Sequence, residues 1–547
     1  MRIVECVPNI SQGRLPEVYN AVAQAAGSVT GVKLLDVDPG FETNRTVITF
    51  VGEPEAVLEG AFQLVTAARG LIDMRTHSGA HGRMGAVDVC PFVPVSGVTM
   101  DDCVELANRL GKRVGEELSL PVYLYEFAAT RPERRSLAVI RQGEYEALSS
   151  KLENPSFAPD FGPAVFVPEF GAMVTGARKF LVAYNVNLNV TDKRWANRVA
   201  FDVREKGRMV AGPDGKKVQQ PGTLKSVRGV GWYIPEYGCA QVSMNLVDLD
   251  VTPVHVAFDA CEESARARGI RVTGSELVGL IPRSSVLEAG RHYLERAGRS
   301  AGVPLADITH AAARSLGLSE VSEFEPGEKI IEDILSPERP LASMTLQEFA
   351  DETSRDSAAP GGGSVAALAG ALAAALAAMV ANLPHPKSAF AEVQKDLEEV
   401  AVRAQELKQE LLDAIDADTW AFQALMEAGK TVGPDRDAAV REATLGAARV
   451  PLEVAEACLE IVELCGRARK LGLKASASDA GVGAGMARAA ALGAAMNVRI
   501  NLTEMADEPD ALAMLSRADE ALRKTRVRAA EVETEVWCGL GGEVSDL

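Results

Sequence analysis

The sequence predicts a multidomain protein in which two α/β (α+β) subdomains are followed by an all-α helical bundle. Before about residue 335, short runs of β-branched residues alternate with helical stretches, and this alternation is typical of α/β structure. After residue 340 the chain is rich in Ala, Leu and Glu at helical spacing. A length of 547 residues allows several domains, and 47% hydrophobic with 24% charged residues is the composition of a globular protein.

The first subdomain is predicted to span residues 1–170. Its strands are expected at residues 2–7, 32–37, 45–51, 87–94 and 121–125, and its helices at residues 16–26, 54–69 and 101–118. Residues 154–171 contain four prolines and two glycines, which are too many for a regular element. We interpret that segment as a crossing between the two subdomains.

The second subdomain is predicted to span residues 171–325 and to end at a linker, residues 326–342. Its strands are expected at residues 180–190, 229–233 and 241–247, and its helices at residues 195–206 and 253–268. The linker is a charged stretch interrupted by three prolines and a glycine, which are Pro326, Gly327, Pro337 and Pro340. The class of structure is therefore expected to change there.

The helical domain is predicted to span residues 343–547. Its helices are expected at residues 345–356, 363–383, 391–428, 436–465, 480–501 and 508–536. Residues 364–383 carry no charge and have about the ~20-residue length of a membrane span. They are mostly alanine, which gains little from lipid but lets helices approach closely, so we predict a buried bundle helix and no membrane partner. The excess of apolar helix faces predicts a homo-oligomer.

Charge and cysteine usage narrow the possible functions. The chain has 57 basic and 76 acidic side chains, a net charge of −19, which disfavours nucleic-acid binding because that requires a basic surface. The first residues resemble a strand rather than a secretory signal, so a cytoplasmic protein is expected. The eight cysteines are scattered without a C-x-x-C spacing, and we interpret them as reduced thiols rather than zinc ligands.

Two histidines lie in a glycine-rich loop that leads into a strand, within residues 75–88. The spacing of His77 and His81 resembles a helical zinc pair, but the usual Glu is missing and Gly79 and Gly82 oppose a helix, so no metal is predicted. A neutral imidazole can transfer protons near neutral pH, and Arg83 could bind a carboxylate. For His77 a structural role in the turn remains an alternative.

Polar residues also follow the predicted second strand. Asp36 and Asp38 end that strand, and Arg45 begins the next one, at a place where α/β proteins often bind ligands. Asp38 and Arg45 are the candidate binding residues of this cluster. An ordinary turn would explain Asp36 and Gly40 equally well.

In the helical domain, Gly362, Gly363 and Ser364 lead directly into a helix. The free backbone N–H groups at a helix start could bind an anion or a carbonyl oxygen. The lysine of a Walker loop is absent, so no nucleotide is predicted. Alternatively, Ser364 caps the helix and the glycines allow a neighbouring helix to pass close by.

Asp416 and Asp418 lie within a predicted helix, just before apolar residues. Residues two apart point to different sides of a helix, so at most one of these carboxyls can face fully inward. A partly buried carboxyl has a raised pKa, which suits a general acid or base. Alternatively, either residue could lie on the solvent-exposed face of the helix.

Taken together, the motifs resemble the formiminotransferase-cyclodeaminase family, two-domain folate enzymes of histidine degradation. The resemblance covers nearly the whole chain. It rests on the strings ECVPN at 5–9, DVD at 36–38, NRTV at 44–47, HSGAH at 77–81, RMG at 83–85, PDFGP at 159–163, GSELVG at 274–279, PGGGSVA at 360–366, DAD at 416–418 and NVRIN at 497–501.

The resemblance assigns site residues. It implies that His81 is the catalytic histidine of the transferase, that Asp418 is the catalytic aspartate of the cyclodeaminase, and that folate contacts about residues 162–171. With the candidates above, the predicted substrate-binding residues are Asp38, Arg45, Arg83, Gly162, Pro163, Ala164, Phe166, Gly171, Gly362, Gly363 and Ser364. The chain departs from the family at Gly82, where proline is common, and at Trp420, which is bulkier than expected.

The resemblance also implies a two-step reaction. Nitrogen 5 of tetrahydrofolate attacks the formimino carbon of N-formimino-L-glutamate while His81 transfers a proton to the departing glutamate. Nitrogen 10 then closes on the same carbon, with Asp418 transferring a proton, to give 5,10-methenyltetrahydrofolate and ammonia. The expected co-substrate is tetrahydrofolate, with or without a polyglutamate tail, and neither metal nor nucleotide is expected.

Two alternatives remain open in the sequence. The chain could join a glutamate formyltransferase to a methenyltetrahydrofolate cyclohydrolase-like domain, because the residues do not distinguish an oxygen from an NH on a one-carbon unit. It could also be a non-catalytic folate-binding scaffold that forms oligomers.

Overall fold

The computed structural model describes residues 2–41, 43–79, 82–211, 216–336, 338–357, 359–433 and 435–544. The chain divides into two compact units. The first unit comprises Met1–Ala289 and Leu316–Ser336, and the second comprises Gly290–Ser315 and Pro337–Leu547. The first unit contains the described strands and the second is helical, which confirms the predicted class of fold.

The described strands all lie in the first unit. They are β1 (Ile3–Cys6), β2 (Asn9–Ile10), β3 (Val32–Gly40), β4 (Arg45–Gly52), β5 (Val87–Ser96), β6 (Val122–Glu126), β7 (Met173–Ala177), β8 (Val182–Leu188), β9 (Arg208–Ala211), β10 (Lys217–Gln220), β11 (Val227–Ile234), β12 (Cys239–Leu246) and β13 (Val272–Val278).

The described α-helices occur in both units. They are α1 (Pro16–Gly27), α2 (Pro54–Leu71), α3 (Met100–Glu117), α4 (Leu137–Ile140), α5 (Leu148–Leu152), α6 (Lys193–Val203), α7 (Val254–Arg266), α8 (Arg283–Arg296), α9 (Leu305–Leu316), α10 (Pro326–Lys329), α11 (Ile331–Leu335), α12 (Leu346–Thr353), α13 (Gly362–Asn382), α14 (Gln394–Lys430), α15 (Arg436–Leu471), α16 (Ala477–Asn501) and α17 (Pro509–Gly539).

The first sheet has seven strands in the order β1-β4-β2-β5-β7-β6, with β3 paired to β4. The pairs β5–β7 and β6–β7 are parallel, and the others are antiparallel. Because side chains alternate along a strand, one face carries Val4, Cys6 and Phe50 into the core below α2 and α3. The other face is partly covered by α4 and α5, which pack on β6 and β7. The first subdomain therefore continues past residue 170 to include β7.

The second sheet is antiparallel, in the order β11-β12-β8-β13. Helices α6 and α7 pack against it. Residues 326–336, expected to be a linker, instead form the short helices α10 and α11, and Ile330 forms a β-bridge to Ile281 within the first unit.

The second unit is built around α13, which packs against α14, α15 and α16. Within the described ranges, α13 is the one helix that is long and apolar enough to cross a membrane. Its alanines, including Ala367, Ala374 and Ala377, are buried in the bundle core, as predicted. Small side chains on this helix allow its neighbours to approach closely: a β-carbon at Gly370 would lie 3.0 Å from a methyl group of Leu411 on α14.

Candidate active sites

A cleft of about 1320 Å³ lies within the first unit, between one face of the first sheet and the strand ends at one side of the second. The second sheet contributes residues at the ends of β8, β11 and β13, including Ala183, Arg228 and Val278. The described residues that line the cleft include seven basic side chains, Arg45, Arg135, Arg141, Arg178, Lys179, Arg228 and Lys329, and five acidic ones, Glu5, Asp36, Glu126, Asp248 and Glu328. The excess of positive charge suits an anionic ligand, although the whole chain is acidic.

The floor of the cleft is the part of the first sheet that α4 and α5 leave uncovered. Val7, Val47, Val89 and Pro91 supply its apolar surface from β4, β5 and the segment after β1. Glu5 lies on the same face, because its neighbours in register are Val51 on β4 and Val93 on β5. Three segments that are far apart in sequence therefore build one surface.

Arg45 is the predicted binding residue that lines this cleft. Its guanidinium donates a hydrogen bond to the side-chain oxygen of Asn9. Burial lowers the pKa of Arg45, and the nearby Asp88 carboxylate opposes that shift. Asp88 is itself buried, where it forms an ion pair with Arg141 and accepts the Met84 backbone N–H at 2.9 Å.

The loop before β5 is anchored by Arg83. Its guanidinium donates two hydrogen bonds to the Glu146 carboxylate, at 2.7 and 2.9 Å, and one to Nδ1 of His77 at 3.1 Å. Nε2 of His77 lies 2.8 Å from the backbone oxygen of Asn44, so Nε2 carries the proton and the ring is neutral. Burial also lowers the pKa of His77. His77 therefore holds the loop to the residue just before β4. The predicted catalytic residue His81 lies outside the described residues.

Gly82 marks a close approach within the same loop. A β-carbon at Gly82 would lie 2.7 Å from a carboxylate oxygen of Glu144. A larger residue at this position would need only the flexible end of the Glu144 side chain to move.

The predicted folate stretch, residues 162–171, packs beside the Arg83 loop. The rings of Phe166 and Tyr145 have centroids 5.5 Å apart, and the Tyr145 hydroxyl donates to the Pro168 backbone oxygen at 2.6 Å. The predicted residues Gly162 and Ala164 are exposed, Pro163 and Phe166 are half-buried, and Gly171 is buried against the backbone of Met84 and Gly85. None of these described residues, nor exposed Asp38 or anchored Arg83, lines the cleft.

In the second unit, Asp418 of α14 lies against the first turn of α13. The Ser364 hydroxyl is 3.4 Å from the Asp418 carboxylate and donates to the Ile415 backbone oxygen at 2.8 Å. Burial raises the pKa of Asp418, and hydrogen bonds from the backbone and side chain of Ser364 partly oppose the rise. The two sequence candidates of this unit, the glycine loop and the aspartate, therefore meet in one place.

Glycine is required beside this carboxylate. A β-carbon at Gly363 would overlap the carboxylate of Asp418, and one at Gly362 would lie 3.2 Å from the side-chain nitrogen of Asn497 on α16. Asn497 thus faces the same helix start. It belongs to the string at 497–501, but sequence reasoning did not select it because its position depends on how α16 packs.

Asp416 has a different environment from Asp418. It is buried, and its two oxygens accept the backbone N–H groups of Leu341 and Ala342 at 2.9 and 3.0 Å. Both oxygens of Asp416 therefore accept hydrogen bonds that attach the segment before α12 to α14. Asp416 is thus the more deeply buried of the pair, in line with the expectation that at most one of them points fully inward.

Among the residues that the structure describes, no three His, Cys, Asp or Glu side chains are grouped to hold a metal ion. Because His81 is not among them, the absence of a metal stays a prediction.

Three family models match successive parts of the chain. Formiminotransferase domain, N-terminal subdomain, matches residues 3–178; Formiminotransferase domain matches residues 183–336; and Formiminotransferase-cyclodeaminase matches residues 345–520. A formimidoyltransferase-cyclodeaminase of Rattus norvegicus is 42% identical over 540 residues, which cover 97% of this chain and 98% of the relative. The chain belongs to the formiminotransferase-cyclodeaminase family.

The chain is also similar to shorter proteins. A glutamate formimidoyltransferase of Thermoplasma acidophilum is 40% identical over 304 residues, which cover 55% of this chain and 95% of the relative. A methenyltetrahydrofolate cyclohydrolase of Methylorubrum extorquens is 34% identical over 169 residues, which cover 30% of this chain and 81% of the relative. The full-length match confirms the resemblance drawn from the motifs.

Proposed function

We propose that this protein transfers the formimino group of N-formimino-L-glutamate to tetrahydrofolate and then cyclises the product to 5,10-methenyltetrahydrofolate with release of ammonia. The observation that carries the proposal is the 42% identity to a formimidoyltransferase-cyclodeaminase along 97% of the chain. A match of that length favours both activities together. The formyltransferase and scaffold alternatives receive no support from it.

We assign the transfer step to the first unit. The basic cleft with an apolar floor suits a pterin that carries anionic glutamate groups, and Arg45 lies where it could bind a carboxylate. His81, by resemblance, would take the proton from the attacking amine and return it to glutamate, a role worth ~10²–10⁴-fold in rate. The hydrogen bonds of His77 and Arg83 would hold the loop that carries it.

We assign the ring closure and deamination to the second unit. Asp418 has a raised pKa, so its carboxyl can exchange a proton closer to neutrality than an ordinary aspartate. The first turn of α13 presents backbone N–H groups beside it, which would stabilise negative charge on the substrate. Asp418 would deprotonate nitrogen 10 or protonate the leaving nitrogen.

Further proposals follow from the same assignment. The first sheet with its helices, which continues past residue 170 to include β7, and the second sheet with its helices would form the two halves of the transferase, and residues 343–547 would form the cyclodeaminase. The protein would work in the cytoplasm on small molecules, with tetrahydrofolate as co-substrate and without metal or nucleotide. Homo-oligomerisation is supported by large exposed side chains on α13 and α16, which are Val365, Leu372, Met379, Val482, Met496 and Ile500.

The activity is tested with tetrahydrofolate and formiminoglutamate as substrates. Purified protein should release glutamate and ammonia in equal amounts while the absorbance of the methenyl product rises. His81→Ala should lose transfer yet still deaminate supplied 5-formiminotetrahydrofolate. Glutamate release from the formyl donor alone, or loss of both reactions in a folded His81→Ala protein, would contradict the proposal.

A further inference from the structure

A β-bulge in the first sheet determines the position of Asp88. In the register of β2 against β5, Asn9 pairs with Val89 while Ile10 pairs with Val87, so Asp88 is an extra residue between them. Val89 lines the cleft, whereas Val87 packs in the core on the opposite face. A bulge bends a strand and redirects a side chain, and bulges are common beside active sites. This one places a buried carboxylate next to the cleft.

Arg141 binds that carboxylate with only one edge of its guanidinium. Its Nε donates to Oδ1 of Asp88 at 3.2 Å, and its Nη2 donates to Oδ2. Nη1 has no hydrogen-bond partner among the described residues, and with the second N–H of Nη2 it forms another edge of paired donors. Arg141 lines the cleft with 19% of its side chain exposed, so this second edge can reach a ligand.

Arg45 lies close to the same two residues. It lines the cleft, and its guanidinium donates to the side-chain oxygen of Asn9. Burial lowers the pKa of Arg45 most, the Asp88 carboxylate raises it and the Arg141 guanidinium lowers it, so the three charges are near one another. Two guanidinium groups beside one carboxylate leave a positive charge, which the carboxylate of a substrate would balance.

The loop before β5 adjoins this pair of arginines. Its Met84 donates a backbone hydrogen bond to Asp88 at 2.9 Å, and its His77 binds the backbone of the residue directly before Arg45 at 2.8 Å. His81 belongs to the same loop in sequence, and the resemblance assigns it the proton transfer. A substrate group bound by the two guanidinium groups would therefore lie near the reacting atoms.

We propose that Arg141, together with Arg45, binds the α-carboxylate of N-formimino-L-glutamate and determines the specificity of the transfer step for that group. This inference rests on the proposed function, because it takes formiminoglutamate as the formimino donor. An edge with two N–H groups matches the two oxygens of a carboxylate. Arg83, which the sequence suggests for this role, is instead held by the Glu146 carboxylate and does not line the cleft.

Both substrates carry carboxylates, so the shared chemistry has two sources. In formiminoglutamate the α-carboxyl carbon is three bonds from the reacting formimino carbon. In tetrahydrofolate the whole p-aminobenzoyl group separates the glutamate carboxylates from nitrogen 5. Because the two arginines lie beside the loop that is assigned the proton transfer, the α-carboxylate of formiminoglutamate fits this position better.

The test compares wild type, Arg141→Met and Arg141→Lys in the full chain, with glutamate release as the measure of transfer. The KM for formiminoglutamate should rise by about 10–100-fold in both variants, because each loses the paired donors, and the KM for tetrahydrofolate should not change. The lysine keeps a charge beside Asp88, so this variant should fold even where methionine leaves Asp88 unpaired. Arg109→Met is the matched control, since it removes an exposed arginine that is paired with Glu55 outside the cleft, and it should keep both KM values.

Two substrate analogues identify the carboxylate that is bound. N-formimino-4-aminobutyrate lacks the α-carboxylate, and N-formimino-2-aminobutyrate lacks the γ-carboxylate. Wild type should use the first analogue with a kcat/KM about 10–100-fold below that of formiminoglutamate, and Arg141→Lys should lose most of that discrimination. Discrimination against the second analogue should be equal in the two proteins. A purely structural role of Arg141 would instead lower kcat/KM for all three substrates by the same factor.

The outcomes distinguish the inference from the function on which it rests. An unchanged KM for formiminoglutamate, an equal or larger rise in the KM for tetrahydrofolate, or an equal loss with all three substrates would overturn the role of Arg141 and leave the proposed function intact. Loss of discrimination against the γ-analogue alone would likewise overturn the assignment to the α-carboxylate. Failure of wild type to release glutamate from formiminoglutamate in the presence of tetrahydrofolate would overturn both.

Discussion

The two units hold their candidate carboxyl groups in different ways. In the helical unit, Asp418 receives hydrogen bonds from Ser364 at the start of α13, so its position is set before any substrate arrives. In the first unit, Glu5 is more deeply buried but has no such partner among the described residues. The first carboxyl is preorganised by its own chain, whereas the second is open to the cleft.

The difference follows from the local architecture. A helix start offers several free N–H groups to one carboxylate, and a glycine allows it to come close. The middle of a sheet offers none, because the backbone groups of β1 are already used in pairing with β4 and β5.

The largest expected effect is the loss of deamination in Asp418→Asn. The amide cannot exchange the required proton, so the rate of ring closure should fall by about 10²–10⁴-fold while transfer continues. Glutamate release and methenyl absorbance report the two steps separately. Asp413→Asn, on the exposed side of the same helix, is the matched control and should keep both rates. Normal deamination by Asp418→Asn would remove this residue from the mechanism.

Gly363→Ala should have the next largest effect, because the new methyl group would displace the Asp418 carboxylate from the helix start. A shift of about 1 Å in a reacting group can cost ~10²-fold, so we expect a 10–100-fold loss of deamination. Gly446→Ala in α15 is the control, since no atom lies within 4 Å of its new β-carbon. It should keep the rate and, if anything, stabilise the helix. An unaffected Gly363→Ala enzyme would show that the carboxylate need not contact the helix start.

Asp416→Ala should affect stability rather than chemistry. It leaves the buried N–H groups of Leu341 and Ala342 without acceptors, at a cost of about 1–3 kcal/mol. Urea unfolding of the full chain should show the loss, and the rates per folded molecule should remain near wild type. A selective loss of deamination with unchanged stability would mean that Asp416 belongs to the site.

The smallest effect concerns the pH dependence of stability. Since the pKa of Asp418 is raised on folding, the native state holds this proton more tightly, and the ionised group costs stability as the pH rises above its ordinary value of 3.8. Asp418→Asn should therefore gain stability relative to wild type towards pH 7, and the difference should shrink below pH 4. Melting temperatures measured across that range would test the sign, and a gain confined to acid pH would contradict it.

Much of the helical unit can be predicted from the sequence. The predicted helices match α12–α17 with ends that differ by a few residues, because alanine-rich periodicity and helix starts such as Thr345 are local signals. The glycine loop and Asp418 also carry local signals, although only the fold shows that they touch. Asn497 could not be selected in this way, because nothing near it in sequence distinguishes it from other helix positions.

The first unit is harder to predict because its site depends on long-range pairing. Strands β7 and β13 escape prediction, and β7 joins the first sheet only through parallel pairing with β5 and β6. Glu5 is recognisable as part of the ECVPN string, but its exposure to the cleft depends on which face of β1 the helices cover. Arg45 is selected because it begins a strand beside polar residues, and that position does line the cleft.

The alanine-rich character of α13 has a consequence for how this chemistry can be altered. Small side chains keep α13 and α14 near one another. Because the helices are close, the short side chain of Asp418 on α14 can reach the backbone at the start of α13. A larger residue at Gly370, which already faces Leu411, would push α13 and α14 apart. The Asp418 carboxyl would then move away from the helix start, although no polar atom is changed. The deamination rate of the helical unit therefore depends on small, chemically unreactive residues of α13.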